Sequence, residues 1–299
     1  VVSLSTTPKQ LTEYSLAVDI GGTKLAVGIV DEEGHLFDAT MAPTPKGDGE
    51  SIFSTLRGLI ATVLQSAKRD SVVVCGVGCG GPMRDDGAFV SPLNIPGWRD
   101  FPLRERLSTL LQIPVFVDND AKALALGEGW VGAAKGVTNF LAMVVSTGVG
   151  GGIVLNGRLL DGRLGNAGHI GHVIVTPTGR ACGCGAKGCL EAEASGTALH
   201  AMTGQLPTDL TERYVEQTGM MVGRAVAIVS SLLDLDLALV GGSVALGMGE
   251  RFFVAANAEL HERAKLSFSS SARIAPVGLG GDGPLVGAGA VGWRGIRGG

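Results

Sequence analysis

The stretch Leu16-Ala17-Val18-Asp19-Ile20-Gly21-Gly22-Thr23-Lys24-Leu25-Ala26-Val27 decides the fold. Its two short apolar runs, Leu16–Ile20 and Leu25–Asp31, flank Gly21-Gly22-Thr23-Lys24. Runs of Val, Ile and Ala on either side of paired glycines predict two strands and a tight hairpin. The pattern returns about 125 residues later. There Phe140–Ser146 reads as an apolar strand, Thr147–Gly152 as a glycine loop and Ile153–Leu155 as a strand. A strand, glycine loop and strand used twice, each time followed by mixed sequence, predicts an α/β protein. Two lobes of similar architecture then face a cleft.

Working outward, Ile52, Phe53, Leu56, Ile60, Val63, Leu64 and Ala67 recur at helical spacing, so Glu50–Lys68 is expected to be a helix. Ser71–Gly78 reads as a buried strand, Leu103–Leu111 as a short helix, Pro114–Val117 as a strand and Asn119–Val131 as a helix. The later chain gives a long helix within 208–233, a strand Leu237–Val240 and a helix within 249–265. A strand at 273–277 and a glycine-rich helix at 284–296 complete it. Composition breaks most sharply near Asp118–Asn119. The expected division is a tail at 1–13, a small lobe at 14–118 and a large lobe at 119–283. A C-terminal helix at 284–299 packs back on the small lobe.

Glycine supplies 48 of the 299 residues, about twice the usual share. It follows no three-residue period, and 45% of the chain is hydrophobic, which excludes collagen and low-complexity disorder. Much of the excess sits at 21–22, 76–81, 148–152, 183–188, 241–242 and 278–283, and is read as backbone brought close to ligands. The balance of 24 basic against 28 acidic residues, with no basic stripe, argues against nucleic acid. No apolar run reaches the ~18 residues of a membrane span, because Arg224, Asp234 and Asp236 interrupt the nearest one. Residues 1–13 lack the apolar core of a signal peptide. Five cysteines, three of them within 182–189, indicate a metal site in a reducing cytoplasm rather than a disulfide framework.

Three glycine loops carry phosphate chemistry. Asp19-Ile20-Gly21-Gly22-Thr23-Lys24 ends a strand, and its glycines let backbone N–H groups turn toward an anion. Thr23 and Lys24 add a hydroxyl and a cation, and Asp19 suits a Mg²⁺-bound water. Thr147 and Gly148 open a second cradle, and Gly241-Gly242-Ser243 offers a third close approach, suited to the α-phosphate or adenosine of a nucleotide. Gly76-Val77-Gly78-Cys79-Gly80-Gly81 matches a dinucleotide fingerprint, but Pro82 and a turn follow where a helix would have to start. It is read as a backbone wall against a ligand. His172, Cys182, Cys184 and Cys189 offer four N and S donors, the set of a closed tetrahedral zinc site. Cys75 and Cys79 read as small core residues. At Asp118-Asn119-Asp120 a strand meets a helix, where a carboxylate can accept a proton from an alcohol attacking a phosphorus. Asp118 is expected to cap the helix or stand behind the site, and Asp120 to be the base.

Together these residues resemble the ROK family of sugar kinases and sugar-responsive repressors. The resemblance rests on Ala17–Lys24, Asp118–Asp120, Ser146–Gly152, Gly168-His169-Ile170-Gly171-His172, Cys182–Glu191 and Gly241–Ser243, and runs from about residue 15 to the end. It implies an actin-like, ribonuclease H-like fold with a duplicated βαβ core, closing on ATP-Mg²⁺ and a hexose. It implies phosphorylation of the sugar 6-hydroxyl, with Asp120 in the base position. Asn94, Asn119, Asp120, His172 and Glu191 match the family's sugar contacts, with Gly81 and His169 beside them. Ser91–Trp98 is similar to the sugar segment of its glucokinases. Those glucokinases carry Glu where this chain has His169, and Gly168–His172 is more similar to bacterial N-acetylmannosamine kinases. The sugar is therefore glucose or N-acetylmannosamine, and the donor ATP or, as in some relatives, polyphosphate. The resemblance also implies a homodimer or higher homo-oligomer. The family's repressors carry a helix-turn-helix ahead of this region, and residues 1–13 do not read as one.

Overall fold

The opening run folds as its pattern predicts. In a computed structural model describing residues 12–66 and 68–298, β1 (Tyr14–Ile20) and β2 (Lys24–Asp31) pair antiparallel across the glycine turn. The expected tail lies outside the described residues, apart from Thr12 and Glu13. β3 (Leu36–Pro43) adds to β2, and α1 (Gly49–Val63) follows. The chain continues through β4 (Val72–Cys79), the small hairpin of β5 (Met83–Arg84) and β6 (Phe89–Val90), and α2 (Leu103–Leu111). Then come β7 (Val115–Asn119) and α3 (Asp120–Trp130). The sheet order is β3-β2-β1-β4-β7, with β1, β4 and β7 parallel.

The rest of the chain repeats this plan. β8 (Phe140–Val145), β9 (Val149–Leu155) and β10 (Arg158–Leu159) form an antiparallel meander. α4 (Leu190–Ala194), α5 (Gly196–Thr203) and α6 (Glu212–Leu233) cross over to β11 (Leu237–Gly241). α7 (Ser243–Arg263), β12 (Arg273–Pro276) and α8 (Gly283–Arg297) complete it. The order β10-β9-β8-β11-β12 matches the first sheet strand for strand, with antiparallel neighbours on one side of β8 and parallel ones on the other. This is the duplicated, two-lobed, actin-like α/β fold.

Each sheet has its own core. Leu16, Val18, Val27, Leu56 and Val77 are buried in one, and Leu141, Val145, Val222, Val240 and Phe252 in the other. Each such side chain stabilises the fold by ~1.5–3 kcal/mol. The helices that follow the last strands change sides: α3 packs on β8 and β9, α8 packs on β1 and β4, and the two touch. Glycine permits this. A Cβ on Gly287 would collide with the Ala123 carbonyl, and one on Gly76 with the Ala288 carbonyl.

Gly76 therefore serves helix packing and not a ligand, which corrects that part of the expected backbone wall. Gly150–Gly152 likewise belongs to β9 and not to a loop. A Cβ on Gly152 would lie 2.7 Å from Lys122 Cα, so the glycines admit α3 against the strand. α1 stops at Val63, short of Lys68, and Ser66 turns instead to hydrogen-bond Asp38 at 2.6 Å. α7 begins six residues before the expected span, at Ser243, and breaks at Gly249 (φ 66°, ψ −153°). That break interrupts the helical period on which the expectation rested. Cys75 and Cys79 are fully buried in β4, and burial raises both thiols well above their usual range. Among the described residues no helix is long and apolar enough to cross a membrane.

Candidate active site

A cleft of about 610 Å³ opens between the two sheets, and the glycine loops meet there. In the first loop, Gly21 N–H donates to the Lys24 carbonyl at 2.9 Å and closes the hairpin. The Thr44 hydroxyl braces it from below, donating to Gly21 O at 2.7 Å. Thr23 and Lys24 line the cleft. A Cβ on Gly22 would lie 2.6 Å from Asn94 Cβ, so glycine lets the loop close on Asn94. In the second loop a Cβ on Gly148 would lie 2.9 Å from Glu191 Oε2 and 3.7 Å from Asn94 Nδ2. Asn94 thus sits between the two loops. Glu191 Oε2 accepts the Val149 N–H at 3.0 Å, which fixes its carboxylate under the second loop. Thr147 lines the cleft, and its carbonyl accepts from Thr197 Oγ1 at 2.9 Å.

The third loop joins the second through Ser146 Oγ and Ser243 Oγ, 3.0 Å apart. Gly242 has φ 95°, and a Cβ there would collide with the Val145 carbonyl. Only glycine fits that position. α7 starts at the next residue, so its N-terminal N–H groups open on the cleft, favouring an anion. Gly241 packs against Val277, which lines the cleft together with Gly280, Gly281 and Pro284. The glycine run 278–283 pointed to this wall, but nothing in the sequence singled out Val277 or Pro284.

The β7–α3 junction supplies the carboxylates. Asn119, not Asp118, caps α3: its Oδ1 accepts the Ala121 N–H at 3.1 Å. Asp118 turns away to Lys122, with Oδ1 to Nζ at 2.8 Å, which leaves it behind the site. Asp120 is the first residue of α3, and its Oδ1 accepts the Ala121 N–H at 2.9 Å. Burial raises the Asp120 carboxyl above its usual range, while the backbone N–H bonds and His169 oppose the rise. Asp19 at the end of β1 is pushed up to about 7, first by burial and then by the charge of Asp120, with Lys24 opposing. A Cβ on Gly78 would lie 3.6 Å from Asp120 Cα and 3.8 Å from Asp19 Oδ1, so both acids converge beside Gly78. A buried acid whose ionisation is opposed by a second carboxylate beside it is suited to a divalent cation and its waters.

Gly81, Asn119 and His169 form the opposite wall. A Cβ on Gly81 would lie 3.4 Å from both Asn119 Nδ2 and His169 Nε2. The His169 and His172 rings stack with centroids 6.2 Å apart. His172 lines the cleft, yet its Nδ1 lies 3.7 Å from Cys182 Sγ. Cys184 and Cys189 Sγ are also 3.7 Å apart, and the four donor atoms lie within 4.8 Å of one another. A tetrahedron of thiolates about 2.3 Å from a zinc ion has edges of ~3.8 Å, so these residues fit such an ion. The knuckle thus ties the floor of the cleft to the start of α4, where Glu191 sits.

A duplicated α/β fold with glycine loops and paired acids converging on the cleft defines an actin-like protein built to hold a phosphate-bearing ligand. Within that class the chain belongs to the ROK family, whose family model matches residues 15–292. It is 36% identical over 249 residues to the N-acetylmannosamine kinase of Yersinia pestis (strain Pestoides F), covering 78% of this chain and 84% of that protein. The crystal structure of the ROK hexokinase from Thermus thermophilus superimposes with a TM-score of 0.84 at 33% identity, covering 96% of this chain and 100% of that one. The ROK family glucokinase from Streptomyces griseus, solved with glucose and AMPPNP, gives a TM-score of 0.83 at 30% identity. It covers 94% of this chain and 99% of that one.

Proposed function

We propose that the protein is an ATP-dependent sugar kinase that phosphorylates the 6-hydroxyl of a hexose, glucose or N-acetylmannosamine. The observation that carries this reading is the convergence of Asp19 and Asp120 at Gly78, between the first and second glycine loops. Asp120 accepts the hydroxyl proton as the sugar oxygen attacks the γ-phosphorus. The new O–P bond forms as the β–γ bridge breaks, and ADP carries away the electron pair. Gly21–Lys24 and Thr147-Gly148 cradle the phosphates, and Gly241-Gly242 meets the rest of the nucleotide. Asp19 would hold Mg²⁺ through its waters, and the ion would supply charge neutralisation at the phosphate oxygens.

Asn94, Asn119, His169, His172 and Glu191 hold the sugar against Gly81. An imidazole accepts at most one hydrogen bond where a carboxylate accepts several, so His169 favours a sugar that offers fewer donors there. That supports N-acetylmannosamine over glucose, as does the name of the Yersinia relative. His172, Cys182, Cys184 and Cys189 hold a structural zinc that fixes the sugar loop.

In this reading residues 14–118 with the C-terminal helix form the small lobe and 119–283 the large one. The packing of α8 on β1 and β4 supports it. Met220, Ile228 and Leu232, exposed along α6, support a homodimer or higher oligomer. The free cysteines suit a reducing cytoplasm. A coupled ADP assay on glucose, mannose, N-acetylmannosamine and N-acetylglucosamine, with ATP and polyphosphate as donors, tests the proposal. Turnover of N-acetylmannosamine with ATP is expected, and silence with every pairing refutes it.

A further inference from the structure

Among the described residues Lys122 is the one lysine in the set of largest fully buried side chains, 1% exposed. Its ammonium donates to Asp161 Oδ1 at 2.9 Å and to the Gly165 carbonyl at 3.1 Å, and it forms an ion pair with Asp118 Oδ1 at 2.8 Å. Burying such a charge is costly unless it is paired on every side, so the geometry is closely specified. Arg294 of α8 backs the cluster, with Nη2 2.6 Å from Asp161 Oδ2 and Nη1 3.5 Å from Asp118 Oδ2.

The cluster anchors a loop that crosses between the lobes. Residues 160–169 leave β10, close on themselves through Ala167 N–H to Asp161 O at 3.0 Å, and end at His169. At the tip, Asn166 pairs with the backbone of Met83 in β5. Its Oδ1 accepts the Met83 N–H at 3.2 Å, and its Nδ2 donates to Met83 O at 3.0 Å. This clamp lies two residues from Gly81 and three from His169, which stand against each other in one wall of the cleft.

We infer that Lys122 is a positioning residue for the sugar half of the cleft: it anchors the 160–169 loop as a strap that holds His169 in place against Gly81. The inference rests on the sugar-kinase reading. Among the described residues no side-chain hydrogen bond joins the strap to the first glycine loop or to Gly241–Ser243, and its contact with the second is Gly168 against Gly151 of β9, past Thr147-Gly148, so it acts on sugar more than on nucleotide.

The test compares Lys122→Met, Asn166→Ala and the unaltered protein by calorimetry with N-acetylmannosamine, glucose and Mg-ADP. ADP release with ATP and the thermal midpoint are measured alongside. Sugar affinity is expected to fall by about tenfold or more in Lys122→Met, and less in Asn166→Ala, with Mg-ADP affinity held within about twofold. A lower thermal midpoint with unchanged sugar affinity, or equal losses for sugar and nucleotide, overturns the inference. Should Lys122→Met not fold, Asn166→Ala, which removes only the half-buried clamp, decides alone. Sugar binding without ADP release in the unaltered protein sinks the kinase reading yet leaves the strap testable by affinity. Absence of binding to both sugars overturns both.

Discussion

Asp19→Asn separates what the site costs the empty protein from what it does for a ligand. Burial and the Asp120 charge hold the Asp19 carboxyl at about 7, against an ordinary value of 3.8. A carboxyl raised in the folded state contributes stability that is complete below about 4 and is lost as pH rises through about 7. At ~1.4 kcal/mol per pH unit that loss is at most about 4 kcal/mol. Asparagine cannot ionise, so the variant escapes it. Urea unfolding of the ligand-free protein between pH 5 and pH 8 is the assay. The unaltered protein is expected to weaken relative to the variant across this window, and at pH 8 the variant is expected to be the more stable. Mg-ATP is expected to reverse the order, because a charged carboxylate holds the cation's waters more strongly than a neutral amide. Parallel pH curves for the two proteins, or a variant weaker at pH 8, refute the reasoning.

Other consequences follow from packing and the metal knuckle. Gly76→Ala drives a methyl into the Ala288 carbonyl and the Gly292 N–H of α8. It is expected to cost about 2 kcal/mol or more and to lower the thermal midpoint by several degrees, read by calorimetry. Glu128 is fully buried, and its carboxylate accepts the N–H groups of Ala133, Gly278 and Leu279 at 2.8, 3.0 and 3.0 Å. Glu128→Ala strands those donors at about 1–3 kcal/mol each at most, and should expose the 277–284 wall in hydrogen exchange. Metal analysis of freshly purified protein is expected to give about one zinc per chain, and Cys184→Ser to lose it and raise the sugar KM more than the ATP KM. Retention of full sugar affinity after the metal is removed contradicts the structural role given to it.

Local signals made most of the fold legible. The hairpin at Gly21-Gly22, the return of its pattern in β8 and β9, and the span of α2 all followed from periodicity and turn chemistry. What failed did so where tertiary packing overrode a local rule. Gly150–Gly152 looked like loop because glycine usually marks one, yet α3 requires glycine on that strand. β3 alternates only weakly between half-buried and exposed side chains at a sheet edge, so it gave no strand pattern. At the site, the residue types and loops were visible in order along the chain. The clustering of Lys122 with Asp161 and Arg294 was not, because 39 residues separate Lys122 from Asp161 and 133 separate Asp161 from Arg294. Of the two places expected for Asp118, cap of α3 or behind the site, it takes the second, drawn to Lys122, while the Asn119 side chain reaches the Ala121 N–H and caps the helix.

The central claim is that Asp120 is the base. Asp120→Asn keeps the shape of the side chain and its hydrogen bond to Ala121 N–H, but removes the proton acceptor. Steady-state turnover of the preferred hexose is the measurement. The account predicts that kcat falls by about 10²–10⁴-fold while the KM values for sugar and ATP stay close to those of the unaltered enzyme. Turnover within about threefold of the unaltered enzyme contradicts it.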